Sequence, residues 1–258
     1  MSVPLLSCRG LQIRAGDRCL VQALDLDVAA GERWALIGPN GAGKTSLLLV
    51  LAGARPAQEG TIALAGRPLQ QWSVEQLAGL RAMVADRWID PFATSVQDTV
   101  VAARYRLGAG AGASAGGTGT AAALARDCLM AMDCLPLADR DVRYLSRGER
   151  QRVALAAALA QETRLILLDE PISHQDPRHQ MQVLQVLQAR AGCTYIGALH
   201  DINAAARFAT HALLLYGDGR WVAGCAATVL TQETLSPLFE TAIVEVDTGA
   251  HRVFLSHG

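Results

Sequence analysis

No stretch of this 258-residue chain approaches the eighteen or so consecutive apolar residues that a bilayer-spanning helix requires. The longest run, Val153 to Ala160, has eight, so a spanning helix is excluded even though 51% of the residues are apolar, many of them alanine. The opening MSVPLLSCRG has no charged segment leading into a long apolar one, and no secretory signal is expected. Charge of either sign is not in excess. The formal net value is −1, which leaves no electrostatic footprint for nucleic acid or for an anionic membrane. Six cysteines (Cys8, Cys19, Cys128, Cys134, Cys193, Cys225) are scattered without a CxxC pair, and the histidines do not cluster. Reduced, mostly buried thiols of a cytosolic protein are expected, and a zinc site is not. No internal repeat is present. What remains fits one elaborated domain or two closely packed ones, with length enough to bury a large core.

Against those absences stands GPNGAGKT, Gly38 to Thr45, which fits the pattern Gly, four residues, Gly-Lys, Ser/Thr. The apolar residues Trp34, Ala35, Leu36 and Ile37 precede it as a short buried strand, and Ser46 to Ala52 read as helix. That context makes the pattern a phosphate-binding loop. Its glycines let backbone N–H groups turn inward around a polyphosphate, and the following helix adds the partial positive charge of its N-terminus. Gly38, Pro39, Asn40, Gly41, Ala42, Gly43, Lys44, Thr45 and Ser46 are the expected nucleotide-binding residues. Lys44 reaches the outer phosphates, and the Thr45 hydroxyl is placed to ligate magnesium.

Along the chain, Leu11–Arg14 and Leu24–Val28 read as strands before the Gly31-Glu32 turn. Thr61–Leu69 reads as strand and turn, and Trp72–Leu80 as a short helix. From Thr94 to Leu145 the pattern is helical, interrupted by the Gly/Ala/Ser-rich stretch Gly108–Thr120, which is expected to be a flexible surface insertion. Strands return at Leu165–Leu168, Thr194–Leu199 and His211–Tyr216, with helices at Gln151–Ala160, Arg178–Ala191 and Ile202–Ala209 between them. Strands alternating with helices predict a mostly parallel, doubly wound α/β sheet.

RLILLDEP, Arg164 to Pro171, is a run of large apolar residues ending in two carboxylates. It reads as a buried strand that delivers acids to the carboxyl edge of the sheet, where ligands bind in such folds. Asp169 is placed to hold magnesium, and Glu170 to polarise an attacking water. Upstream lies LSRGERQRV, Leu145 to Val153, with Ser146 positioned 23 residues before Asp169.

With these three segments in order, the chain resembles ATP-binding-cassette ATPases, whose signature LSGGQ precedes the acid-ending strand; the resemblance covers essentially the whole chain. It implies a P-loop NTPase with a RecA-like core, an N-terminal antiparallel β-subdomain and an inserted α-helical subdomain. Within one domain spanning 1–258, residues 1–86 and 151–228 would form the nucleotide-binding core with the β-subdomain. Residues 87–150 would be the helical signature subdomain, and 229–258 a C-terminal extension. The cofactors implied are ATP and Mg2+, and the reaction is ATP hydrolysis coupled to transport. Two copies would sandwich two ATP head to tail, with Ser146 and Gly148 of one copy donating hydrogen bonds to the γ-phosphate held by the other. Ser173 and Asp176, within SHQD, resemble the loop that lines this dimer interface. His200, which follows the strand Tyr195–Leu199, matches the switch histidine at the γ-phosphate. Lys44, Glu170 and His200 are thus the expected catalytic groups.

Three positions depart from the family pattern. Asp86 in MVADRW stands where glutamine is expected; it can bind a hard cation through oxygen but cannot donate a hydrogen bond. Arg147 replaces the first signature glycine; it reads as a tolerated surface variant at the rim, the alternative being a change in how the γ-phosphate is gripped. No aromatic residue precedes Trp34, so the adenine-stacking position near Ala15 lacks its ring.

DPFATSVQDTVVAARY (Asp90–Tyr105) and VLTQETLSPLF (Val229–Phe239) with the following AIVEVDTGAHRVFLS are similar to segments of bacterial importer ATPases for iron chelates, haem and cobalamin. The expected partners are a second copy of this chain and separate integral-membrane permease subunits received near Phe92, with a substrate-binding protein and no nucleic acid. The expected location is the cytoplasmic face of the bacterial inner membrane, as a peripheral subunit. Other importers or exporters, a cassette acting on nucleic acid or ribosomes, and a regulatory or degenerate nucleotide-binding subunit are the alternatives.

Overall fold

A computed structural model describes residues 3–86, 92–105, 118–249 and 252–257. The chain opens with two long strands, β1 (Leu6–Ala15) and β2 (Arg18–Val28), followed by β3 (Arg33–Ile37) and helix α1 (Lys44–Leu51). Next come β4 (Glu59–Leu64), β5 (Arg67–Pro68), α2 (Val74–Leu80) and β6 (Arg81–Val84). Helices α3 (Val96–Tyr105), α4 (Thr118–Ala131) and α5 (Arg147–Ala160) lead to β7 (Leu165–Asp169) and α6 (Pro177–Ala189). The remainder alternates: β8 (Thr194–Ala198), α7 (Ile202–Phe208), β9 (His211–Leu215), β10 (Trp221–Cys225), α8 (Ala226–Val229), α9 (Gln232–Phe239), β11 (Ala242–Asp247) and β12 (Arg252–His257). Two compact units result, Met1–Gln71 with Thr194–Gly258, and Trp72–Cys193.

In the first unit, β2, β1, β4 and β5 form an antiparallel sheet in that order, as expected of the N-terminal part. The strands are longer than their local patterns suggest. Register shifts in β1 between Cys8 and Leu11 and again before Ile13 and Arg14 break the two-residue alternation that marks a strand in sequence. Beside this sheet run β10, β9, β3 and β8, with β9, β3 and β8 parallel and β10 antiparallel at the margin. β8 is buried along its whole length and β3 at every residue but Arg33, which is why both read as unbroken apolar runs. The unit ends in the β11–β12 hairpin, held by the Asn203 amide, which donates to Phe254 O (3.1 Å) and accepts from Phe254 N (2.7 Å).

In the second unit, β6 and β7 pair in parallel from Arg81 with Leu165 to Val84 with Leu168. Ser73 caps α2, which gives way directly to β6, so no turn residue marks that strand in the sequence. Helices α3, α4 and α5 pack on one another, as the helical pattern there predicts. α5 begins four residues before the expected Gln151, because Ser146 and Glu149 close a capping box at its entry. Residues 108–117 of the Gly/Ala/Ser-rich stretch lie outside the described residues, as do Asp90 and Pro91; Thr118 to Thr120 open α4. Among the described residues, no helix is long and apolar enough to cross a membrane.

Candidate functional site

In the first unit, β3 runs straight into the loop Gly38–Gly43. Gly38 must lack a side chain, because a Cβ there would collide with the Leu215 carbonyl oxygen at the end of β9. Gly41 (φ +78°) and Gly43 (φ +100°) hold left-handed backbone that other residues rarely adopt. Gly43 is also packed tightly: a Cβ built on it would lie 3.0 Å from the Leu20 Cβ in β2. From behind, Gly217 (φ +76°) brings its own Cβ position to 3.0 Å from Ala42 Cα, and Arg18 Nε donates to Gly217 O at 2.9 Å. The loop is thus wedged by β2 and by the turn after β9. The motif itself gives no sign of these supporting contacts, although Gly-Asp-Gly at 217–219 is a turn signal.

Lys44 is buried, and its ammonium donates to Gly38 O (2.7 Å) and Pro39 O (3.0 Å), so the charge lies within the loop's curl. α1 starts at a left-handed Gly43 that gives no side-chain cap, and its first turn carries no acid. No acid within the helix's own first turn therefore draws on its opening N–H groups. Thr45, next in line, is exposed. His200 joins this group through the sheet. β3 and β8 are parallel neighbours with Leu36 opposite Ala198, and Leu199 N donates to Leu36 O at 3.2 Å. The loop after β3 and the histidine after β8 therefore leave the same carboxyl edge side by side. Asp201, the next residue, caps α7 by accepting from Asn203 N and Ala204 N, which fixes the start of that helix.

The second unit collects the remaining predicted residues. Asp169 ends β7 with 3% exposure, and Asp86 leaves β6 at the same edge, two residues past Val84. Glu170 stands in left-handed backbone (φ +53°), an uncommon conformation for a residue with a side chain. Its carboxylate accepts from Ser173 Oγ at 2.9 Å, and its carbonyl from Gln151 Nε2 at 3.4 Å, tying the acid to α5. Ser146 Oγ accepts from Glu149 N (3.3 Å), and the Glu149 carboxylate accepts from Ser146 N (2.8 Å). Hydrogen bonding to Ser146 holds the Glu149 carboxyl below the usual glutamate range. Gly148 abuts the loop after β7: a Cβ there would lie 2.9 Å from His174 O. Asp176 caps α6, accepting from His179 N at 3.0 Å and facing His179 Nδ1 at 2.7 Å. The backbone bond from His179 is the main reason its carboxyl sits low.

Arg147 also reaches Asp86, with Nη2 to Oδ2 at 3.8 Å, a juxtaposition that no local sequence pattern signals. Each unit therefore gathers its own share: the phosphate loop with His200 in one, and the acids with the signature turn in the other. Among the described residues, no group of three or more His, Cys, Asp and Glu side chains could hold a metal unaided. In the second unit, Asp86 and Asp169 bring two carboxylates to the same sheet edge, oxygen groups of the kind hard cations favour.

Similarity to known proteins accords with this geometry. The family described as ABC transporter matches residues 21–173. The hemin import ATP-binding protein HmuV of Streptomyces coelicolor is 37% identical over 241 residues, covering 93% of this chain and 84% of that one. HmuV of Rhodopseudomonas palustris is 37% identical over 234 residues, covering 87% and 84%. Among solved structures, an inward-facing metal-chelate type ABC transporter superposes with a TM-score of 0.82 at 28% identity, over 100% of this chain and 98% of that one. The ATP-binding cassette MJ0796, solved as a post-hydrolysis dimer with ADP and Pi, shares the fold (TM-score 0.72, 23% identity, 84% and 97% covered).

Proposed function

This chain belongs to the ABC transporter family as an ATP-hydrolysing subunit, and we propose that it drives haem import through a separate permease. The observation that carries nucleotide chemistry is the wedged loop with Lys44 inside its curl and His200 beside it on the neighbouring parallel strand. Haem, within the broader class of haem, iron chelates and cobalamin, is favoured by the likeness to hemin import proteins over nine-tenths of the chain.

In this reading Gly38 to Ser46 wrap the triphosphate through backbone N–H groups, and Lys44 exchanges its two carbonyl acceptors for phosphate oxygens. Glu170, oriented by Ser173, polarises the attacking water, and His200 contacts the γ-phosphate. Magnesium, when bound, neutralises charge on the outer phosphates; Thr45, Asp169 and Asp86 are the residues that would hold it. Two copies close head to tail, with Ser146 and Gly148 at the partner's γ-phosphate and Ser173 and Asp176 lining the contact. The core of residues 1–86 and 151–228, the helical part 87–150 and the extension 229–258 belong to the same reading. So do a substrate-binding protein and a place at the cytoplasmic face of the membrane.

The permease would dock near Phe92. That side chain is 77% exposed, and Tyr144 is 69% exposed. Antiparallel bonding of Ser95 with Asp141, Val142 N to Thr94 O and Val96 N to Arg140 O brings the segments bearing both aromatics together. Two exposed aromatic side chains beside the signature turn suit a protein partner.

The test is reconstitution with a haem permease in vesicles that contain a haem-binding protein in their lumen. Haem uptake should require ATP and magnesium and should be lost with Glu170→Gln. ATP hydrolysis that never moves haem in this system, while moving another chelate, would refute the haem assignment.

A further inference from the structure

Two departures from the expected family pattern, far apart in sequence, meet in the fold. Arg147 is the first residue of α5 and its side chain is 52% exposed; Asp86, whose side chain is 30% exposed, approaches its guanidinium at 3.8 Å. That spacing is an ion pair without hydrogen-bond contact. A cation in the first turn of a helix works against the helix dipole, and an anion close by relieves that conflict. Asp86 supplies part of this relief. A guanidinium has five donors in a planar fork, a geometry that matches a phosphate face better than one carboxylate oxygen at a distance.

Its neighbours explain why position 147 can do this. Ser146 is engaged in the capping box, and Gly148 has no room for a side chain against His174 O. Position 147 opens outward between them and carries a long charged group. An anion met by the backbone of this turn is therefore within reach of Arg147 too.

We propose that Arg147 contacts the γ-phosphate of ATP held by the other copy of the chain, and that Asp86 is the positioning residue that aims its guanidinium. The inference rests on the head-to-tail arrangement under the proposed function. It gives Asp86 a task to which the usual glutamine is poorly suited, because at 3.8 Å, beyond hydrogen-bond contact, a full negative charge draws the guanidinium far more strongly than a neutral amide. The two unusual residues then form one device.

The experiment uses purified full-length chain, with ATP as probe and two readouts: hydrolysis kinetics, and sedimentation of dimers trapped in the Glu170→Gln background. Arg147→Gly should raise the KM for ATP about tenfold (roughly 1.4 kcal/mol) and change kcat by less than a factor of three. Arg147→Lys should recover part of the loss. With magnesium saturating, so that the share of Asp86 in holding it does not limit binding, Asp86→Asn should raise KM about threefold in the parent, yet add nothing in the Arg147→Gly background. Additive effects of the two substitutions would show Asp86 acting separately and overturn its positioning role.

Mixed dimers assign the contact to its copy. With Lys44→Ala in one chain and Arg147→Gly in the other, one complete site remains and KM should match wild type. With both substitutions in one chain, the intact phosphate loop faces the altered signature, and KM should be raised. Equal values in the two arrangements would overturn the contact across copies. So would a wild-type KM in Arg147→Gly whose Glu170→Gln form still dimerises with ATP. If Glu170→Gln chains stay monomeric with saturating ATP, the head-to-tail reading itself fails, an outcome visible before any Arg147 variant is made. Equal melting temperatures of the variants guard against misfolding.

Discussion

Replacing Gly148 with alanine isolates the packing of the signature turn from its chemistry. In an ordinary helix, alanine is more favourable than glycine by about 0.8–1.0 kcal/mol. Here the new Cβ would sit 2.9 Å from the His174 carbonyl oxygen and 3.6 Å from Gln175 Cγ. The nearer neighbour is backbone, so something must move, and overpacking of this kind costs about 1–3 kcal/mol. His174 already occupies left-handed backbone at φ +60°, as does Glu170 at +53°, which limits how the loop can give way. The clash should therefore exceed the helical gain and leave a net loss of about 1 kcal/mol, or about 2–4 °C in melting temperature. Because the displaced loop carries Ser173, which holds the Glu170 carboxylate, hydrolysis should fall as well. Thermal unfolding followed by circular dichroism, with Arg147→Ala at the adjacent exposed position as the control, measures the first effect. The control should change stability by no more than about 0.5 kcal/mol. A Gly148→Ala protein that melts higher than wild type would refute the reasoning, since it would show that the helical preference prevails and the contact with His174 is not rigid.

Glu170→Gln should bind ATP with near-normal affinity and hydrolyse it at least about a hundredfold more slowly; turnover at the wild-type rate in a phosphate-release assay would remove Glu170 from the reaction. Lys44→Ala should abolish tight nucleotide binding, read by fluorescence titration with a labelled ATP. Phe92→Ala with Tyr144→Ala should leave hydrolysis by the isolated subunit unchanged while weakening co-purification with the permease; retained co-purification would exclude the aromatic surface as the dock. Burial pushes the Cys8 thiol up to about 12, so at pH 8 alkylation should mark exposed Cys225 and spare Cys8 until the protein unfolds. Glu149, held low by Ser146, contributes stability that is present above the ordinary glutamate range and is lost as pH falls through its depressed folded value. Glu149→Gln should therefore flatten the acid side of the stability profile, and an unchanged slope in acid titrations would exclude the capping box as its source.

Much of the site was legible because its chemistry is written in contiguous residues. The phosphate loop needs a strand, glycines, a lysine and a helix in immediate succession, and β3, Gly38–Gly43, Lys44 and α1 are found in that order. β7 declared itself by unbroken burial ending in acids. Elements defined by distant partners were harder to read. β6 is four residues long and follows α2 without a breaker, and its strand state depends on pairing with β7. β10 is only half-buried and takes its register from β9, so its own pattern is weak. The β11–β12 hairpin is anchored by distant groups, Asn203 of α7 on Phe254 and Ser236 of α9 on Ile243. Long-range juxtapositions were not readable at all. Asp86 and Arg147 were visible as two separate oddities, and only the fold makes them a pair. Gly148 was likewise expected for its N–H, whereas its lack of a side chain is demanded by the His174 carbonyl.

The wedging of the phosphate loop has a consequence for genetics. Leu215, Gly217, Arg18 and Leu20 lie outside the nucleotide-binding motif, yet they shape the space into which Gly38, Ala42 and Gly43 fit. An unbiased screen for alleles that no longer bind ATP should return hits at these positions as well as within the motif. Such alleles would be recessive when they merely misshape the loop. In the head-to-tail pairing proposed above, such an allele with its signature turn intact would still enter a mixed pair and leave one of the two sites working, which is why a wild-type copy would mask it.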